Sequence, residues 1–520
     1  MQETLFINQL FTDIKKKIKP HWITAFISGM VIGFITYGYF MANNFLVYDS
    51  MWNIYSDQNM IMLGRQFLQF ACGISSYYDL SWTNGLLSII YLSITSILVI
   101  EGLNIKSHIN SALTAGILVA FPNVIATFCL TFTVDGYMLA TLLAAAAFLI
   151  TYRKKWGFLP GIVLMGISLG IYQAYLAFVI VLCIIRLLLD ILEKNTFRDI
   201  FTKAVRFVLM GAGSYAFYVL TLNLMLKLQS IELSAYQGMD KLQNFSFSDL
   251  PAGFQAAWNN FYHFARWGNV LTTTTPMTIS YLALALLGVL CYVYFFVKAK
   301  CHKKPWCIPV TLVLLAVLPF GTTVCSIISP DVFHNALLHC AWSVYFIFVL
   351  ALSERLAPTE HILYNRLKSG AVVAVTLFTA ILIFQFTVVA NIAAFNLNER
   401  YEKSYSLCLR ILDRLEQTPG YEHGMPVSIL GGEPAAPTYP STDITANDLS
   451  GYCSANGDYV VNGTEKFASF MSHYMQVTLT TIDYADELKL CETVEYQNAP
   501  AFPDEGCITL IDGIWVVKLN

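Results

Sequence analysis

Apolar runs long enough to cross a hydrocarbon layer recur along this chain, at residues 22–42, 85–100, 109–127, 134–151, 157–171, 173–189, 206–226, 278–297, 307–324, 335–353 and 370–390. A span of about 20 apolar residues covers a hydrocarbon core about 30 Å thick. Backbone groups in lipid must be satisfied within the segment, so each run is confined to a helix. The chain is expected to be an all-α polytopic membrane protein of about 11 transmembrane helices. Its composition agrees, with 56% hydrophobic and only 12% charged residues, far from an ordinary soluble domain. A formal net charge of −3 and basic residues confined to span ends give no open basic face for nucleic acid.

The basic residues set the orientation instead. Lys15, Lys16, Lys17 and Lys19 precede the first run, and Lys106, Arg153 to Lys155, Arg186 to Arg206, Lys298 to Lys304 and Arg355 to Lys368 all fall on the same side of the alternation. The positive-inside rule then predicts a multi-pass plasma-membrane protein, its N-terminus cytoplasmic and its tail extracytoplasmic. The first run reads as a retained span rather than a signal peptide, since no small-residue cleavage site follows it. Residues 1–390 are expected to form the transmembrane domain, with large outer loops at 43–84 and 227–277. Residues 391–520, rich in turn-forming residues, are expected to form a small extracytoplasmic α+β domain with a strand over Ile514 to Leu519. Cys453, Cys491 and Cys507 share that tail, and their pairing is left open by the spacing.

Ionisable groups in or beside a span cost about 2.5–3.5 kcal/mol on insertion scales and so call for a reason. In the first outer loop, Asp49 lies just beyond the first span, followed by Trp52 and by Gly64-Arg65. A carboxylate in a partly dry cleft can take a proton from a sugar hydroxyl, and Asp57 and Asp79 compete for that role. Asp135 begins the fourth span; it either opposes the helix dipole or joins Asp49 as a second carboxylate at one mouth. Tyr172-Gln173-Ala174-Tyr175 interrupts an apolar stretch at its outer turn, where phenols and an amide can bind sugar hydroxyls or simply sit at the interface. Arg65, Arg266 and His334 are the outward candidates for a phosphate, the guanidiniums being better suited by their bidentate fork. His334, His339 and Asp331 have only weak metal-ligand spacing, so no metal site is assigned. No Walker-type glycine loop is present, and a transferase acting outside needs a donor carried by lipid.

These residues resemble the GtrII-like bacterial glucosyltransferases and, more distantly, the GT-C class of lipid-donor glycosyltransferases. The likeness rests on Asp49, Trp52 and Gly64-Arg65, on Asp135 with its aromatic neighbours, and on Tyr172-Gln173-Ala174. It extends to the tail segments Phe502-Pro503-Asp504-Glu505-Gly506-Cys507-Ile508 and Val516-Val517-Lys518-Leu519. The resemblance implies a hexosyltransferase that moves a hexose, typically glucose, from a polyprenyl-phosphate sugar to a surface glycan, as in O-antigen modification. Asp49 would act as general base, and Arg65 or Arg266 would meet the leaving phosphate. The implied partners are the polyprenyl-phosphate hexose, the acceptor glycan and the bilayer; no cofactor is implied, and a divalent cation is compatible with the set. The family often carries two consecutive acids before its aromatic. Here Tyr48 precedes Asp49 and Ser50 follows it, which keeps Asp57 and Asp135 as alternatives for the base.

Two other readings compete. A flippase or transporter of a lipid-linked sugar would show charged or Gly/Pro-interrupted spans near the midplane and an internal repeat, and neither is evident. A surface-glycan polymerase or ligase would differ mainly in its acceptor.

Overall fold

The computed structural model describes residues 17–43, 49–53, 56–75, 77, 79–234, 247–267, 271–330, 335–356, 362–432 and 459–520. All eleven apolar runs are helical. Eight helices are long and apolar enough to cross a membrane: Pro20–Ala42, Ser81–Leu103, Val134–Arg153, Tyr175–Leu192, Phe197–Gln229, Thr275–Lys298, Ala336–Ser353 and the long terminal helix. The bent pair His108–Ala120 and Pro122–Phe128 makes a ninth if it is one span. Phe158–Ile171 and Cys307–Thr322 are shorter. The 44° bend follows from Pro122, which disfavours helical geometry at the residue before it; Phe121 is accordingly extended at φ −62°, ψ 145°.

Two compact units result: Met1–Ala42 with Asp57–Asn391, and Asn43–Ser56 with Ile392–Asn520. In the first, Pro20–Ala42 packs on Ser81–Leu103 and on His108–Ala120, Ser81–Leu103 on Val134–Arg153, and Phe158–Ile171 between Val134–Arg153 and Phe197–Gln229. Gly29 and Gly33 allow the first of these approaches. A methyl on Gly29 would come within 2.5 Å of Ser93 Oγ, and one on Gly33 within 2.6 Å of Ile89 Cγ2, the small-residue packing that helices use in lipid, where no hydrophobic drive brings them together.

One end of this unit gathers its charges. Glu101 accepts from Lys19 Nζ at 2.7 Å and Trp22 Nε1 at 2.6 Å, and pairs with Arg153. Arg186 donates to Asp190 Oδ1 at 2.8 Å and Glu193 Oε2 at 2.5 Å, Lys203 reaches Asp190 Oδ2 at 3.0 Å, and Arg355 reaches Glu193 Oε1 at 2.6 Å. Lys19, Arg153, Arg186, Lys203 and Arg355, which the sequence places on one side, thus pair with carboxylates.

In the second unit, three strands order as β1 (Val427–Leu430), β3 (Ile514–Lys518), β2 (Ile508–Ile511). β1 runs parallel to β3 with Val427 opposite Trp515, and β2 antiparallel with Ile508 opposite Val517. The hairpin turns on Asp512-Gly513, both at positive φ (48° and 81°), the arrangement that a two-residue primed turn requires. Val427, Ile429, Val517, Phe467, Phe470 and residues of the Ile362–Glu416 helix form its core, and Met51 from the first loop is buried among them. Cys491 and Cys507 are free thiols; Cys453 lies outside the described residues. Lys518 donates to the carbonyls of Tyr496, Gln497 and Ala499 at 3.1, 3.1 and 2.9 Å, so it caps the end of the short Val494–Asn498 helix.

Candidate functional site

The first-unit part of the first loop builds the site. A 3₁₀ turn, Ile61–Leu63, ends at Gly64, whose left-handed φ of 69° costs glycine nothing and turns the chain so that Arg65 points back across the helices. The Gly64 carbonyl is held twice, by Gln173 Nε2 at 2.8 Å and by the Tyr218 hydroxyl at 3.0 Å. Buried Gln66 donates to Tyr218 O and Thr221 Oγ1, both at 3.1 Å, and the Phe67 amide donates to Gly170 O at 2.8 Å. The loop is therefore clamped on both sides of Arg65.

Arg65 Nη1 donates to the Tyr137 hydroxyl at 2.9 Å. Its guanidinium lies 5.1 Å from the Tyr172 ring and 5.9 Å from the Tyr137 ring, and those two rings stack with centroids 4.3 Å apart. The side chain is half-buried. Tyr172 reaches this stack because the Phe158–Ile171 helix stops before it and leaves it extended at φ −157°, ψ 121°. The two aromatic rings fix the plane of the half-buried guanidinium, the orientation in which a guanidinium fork meets an anion.

Asp135 stands two residues before Tyr137, in the first turn of Val134–Arg153. It is 1% exposed, and neither carboxylate oxygen has a hydrogen-bond partner among the described residues. Asp79 is similar: it is 7% exposed, both oxygens lack a partner among the described residues, and burial raises its carboxyl to about 6, a rise partly offset by the nearby Thr131 hydroxyl.

The other sequence candidates fall elsewhere. Asp57 is exposed and serves its own loop, accepting from Gln69 Nε2 at 2.8 Å and from the Asn59 amide at 3.1 Å. Asp49 is exposed and belongs to the second unit, at the start of the Ser50–Asn53 helix. That helix packs on Thr464–Phe470, and Ser469 Oγ donates to Met51 O at 3.1 Å. Lys466 on the same helix is lowered to about 8 by burial, a fall opposed by Glu465 and Asp49. Trp52 lies in the short helix, its side chain outside the described residues, as are Tyr48, Asp331 and His334. Arg266 is exposed and donates to Tyr262, one turn back on its own helix, at 2.7 Å. His339 is buried with its ring 3.9 Å from that of Phe264, and the described residues contain no group of three or more His, Cys, Asp or Glu fit for a metal.

The structure thus unites Arg65, Tyr172, Gln173 and the helix turn that carries Asp135. The sequence reading did not single out Tyr137 or Tyr218, although Tyr137 closes the same Asp135-Gly136-Tyr137 run.

The family described as glucosyl transferase GtrII matches residues 38–352, more than half of the chain. The protein is a member of the GtrII family. No curated protein and no solved structure matches it. The GtrII match covers Asp49, Arg65, Asp135, Tyr172, Gln173 and Arg266 and ends before the tail segments around Phe502 and Val516. A glucosyltransferase on a scaffold of long apolar helices is the activity that membership carries.

Proposed function

We propose that this glucosyltransferase takes a hexose, expected to be glucose, from a polyprenyl-phosphate sugar and transfers it to a surface polysaccharide on the extracytoplasmic face. The observation that carries this reading is the half-buried Arg65, oriented by the Tyr137 hydroxyl and two stacked rings on a doubly held loop. A fixed guanidinium meets the charge that grows on a departing phosphate and costs no reorganisation as it does so. Arg65 bonds Tyr137 near the start of Val134–Arg153, whose other end carries Arg153 in the Glu101 cluster, so under the positive-inside rule it faces outward, where a lipid-linked donor is presented.

Acceptor activation falls to a carboxylate. Asp135 is buried on the helix that supplies Tyr137, two residues before it. Asp49 is the acid to which the family resemblance points. Either would take the acceptor proton as the bond from the anomeric carbon to phosphate breaks.

The test uses the full chain in lipid nanodiscs, synthetic polyprenyl-phosphate glucose and extracted surface polysaccharide. Wild type is expected to transfer glucose. Arg65→Lys, which keeps the charge and loses the fork, is expected to raise the donor KM and lower kcat about tenfold or more. Asp135→Asn and Asp49→Asn separate the two acids: the true base loses kcat by about 10²–10⁴, while the other keeps most of it. Unaltered kinetics in Arg65→Lys would remove the phosphate assignment.

A further inference from the structure

The helix Leu250–Trp267 lies in sequence between the spans Phe197–Gln229 and Thr275–Lys298, and its surface divides into three faces. Gly253, Ala257 and Phe264 are buried, and a methyl on Gly253 would come within 2.5 Å of Ile327 O. Thr323 Oγ1 donates to Ala257 O at 2.8 Å, Asn260 Nδ2 to Ser326 Oγ at 3.0 Å and the Tyr281 hydroxyl to Ala265 O at 3.0 Å, so this face is docked on neighbouring helices. Phe254, Trp258 and Tyr262, each four residues on from the last, are 44%, 48% and 44% exposed. Arg266 is exposed too and continues the row, donating to Tyr262. Four residues turn a helix by only about 40° past a full circle, so these side chains form one stripe. Gln255, Asn259 and His263, all exposed, follow about 100° further round. The aromatic stripe therefore runs between a docked face and a polar face.

The neighbours of the stripe decide what covers it. Tyr281 is in the second turn of Thr275–Lys298 and Thr323 follows the end of Cys307–Thr322, while Lys298, Lys300, Lys303 and Lys304 occupy or join the other ends of those two helices. The helix thus sits away from the basic linker, where the positive-inside rule puts the outer leaflet. Phe320, in the last turns of Cys307–Thr322, brings its ring centroid to 5.3 Å from Phe254 and 6.2 Å from Trp258. Leu312, Val313, Leu315 and Val317 of the same helix are exposed. The stripe is therefore continuous with an apolar surface of the kind a protein with eight membrane-length helices turns to lipid. Sugars also stack on aromatic rings, but they need hydrogen-bonding groups beside the ring, and Gln255 and Asn259 lie round the helix from it.

We propose that Leu250–Trp267 is an interfacial helix bound to the outer leaflet. Phe254, Trp258 and Tyr262 enter the boundary between headgroups and acyl chains, Arg266 meets a headgroup phosphate, and the Gln255–Asn259–His263 face stays in water. Aromatic rings favour that depth, an amphipathic helix lies along it, and a long basic side chain reaches from it to the polar layer. The inference stands apart from the reading of Arg65, since it requires no turnover.

The experiment places the photocrosslinker benzoylphenylalanine singly at Phe254, Trp258, Gln255 or Asn259 of the full chain, in nanodiscs of phosphatidylcholine and phosphatidylglycerol with extracted surface polysaccharide outside. Mass spectrometry after irradiation should find phospholipid adducts at Phe254 and Trp258 and none at Gln255 and Asn259. The two aromatic positions report independently, so a misfolded variant at one leaves the other to decide. Equal lipid adducts on both faces, or none on the aromatic face, would overturn the proposal. Polysaccharide adducts at Phe254 and Trp258 would overturn it as well, because the stripe would then be a glycan platform. With the crosslinker at Tyr262, whose ring lies 5.8 Å from the Arg266 guanidinium, the anionic lipid should be captured about fivefold more than the zwitterionic one, and Arg266→Gln should abolish that preference. A preference unchanged in Arg266→Gln would strike Arg266 as the headgroup ligand.

Discussion

Asp79 ties stability to pH at the scale of one carboxyl group. An unfolded aspartate titrates near about 3.9, while burial raises Asp79 to about 6 in the fold. Between those values the native state keeps a proton that the unfolded chain has released. Stability therefore falls as pH rises from about 4 to about 6, by on the order of 3 kcal/mol in all, and then levels off. Asp79→Asn removes this loss, and its unfolding midpoint should exceed that of wild type at pH 8 and differ little at pH 4, as followed by intrinsic fluorescence in detergent. Equal midpoints at both pH values would mean that Asp79 finds a partner in solution. The sequence showed Asp79 only as one of three loop acids. Its burial opposite Thr131 is a tertiary fact with no local signature, whereas Arg65, Tyr172 and Gln173 were legible because polar residues beside apolar runs are expensive and so conspicuous.

At the scale of elements, the helices were the readable part, since each of the eleven apolar runs is helical, that of residues 109–127 as a bent pair. Their lengths were less readable. Phe158–Ile171 ends where the polar Tyr172-Gln173-Ala174-Tyr175 turn interrupts the apolar stretch, whereas residues 109–127 read as one run and Pro122 breaks them into His108–Ala120 and Pro122–Phe128. The turn at Gly64 has the same character. Gly64→Ala must place a side chain at φ 69°, which costs about 1–2 kcal/mol, and the loop can relieve it only by moving the carbonyl that Gln173 and Tyr218 hold. The expected outcome is a higher donor KM with little change in the unfolding midpoint, since a shifted Arg65 weakens phosphate binding. A fall in stability with KM unchanged would show that the clamp tolerates the strain. The ion cluster at the other end gives the opposite result. Arg186 and Asp190 are 1% and 0% exposed, and removing one member of a buried pair costs about 3–5 kcal/mol. Asp190→Asn should therefore destabilise strongly and leave KM near wild type in whatever protein remains folded.

The whole molecule raises a different question, because chain order and compactness disagree over the first loop. Residues 43–84 read in sequence as one outer loop of the transmembrane part. Yet Asn43–Ser56 clusters with Ile392–Asn520, and Met51 is 4% exposed in a core with Phe467, Phe470 and Val517. Sequence patterning could not reveal this, since a single buried methionine in a short helix has no periodicity to detect. The consequence is that the segment carrying Asp49 is ordered by residues more than 400 positions away. Met51→Asp puts a charge into that core and removes the contacts that hold the Ser50–Asn53 helix on Thr464–Phe470. If the acceptor is activated by Asp49, this variant loses kcat as fully as Asp49→Asn, while sugar-free polyprenyl phosphate still inhibits through Arg65. If Asp135 is the base, Met51→Asp loosens the second unit, as limited proteolysis of the tail would record, yet keeps a rate close to wild type. One substitution far from Arg65 in sequence thus separates two mechanisms that point mutants of the acids alone leave entangled, because it displaces a whole segment without touching the chemistry of either carboxylate.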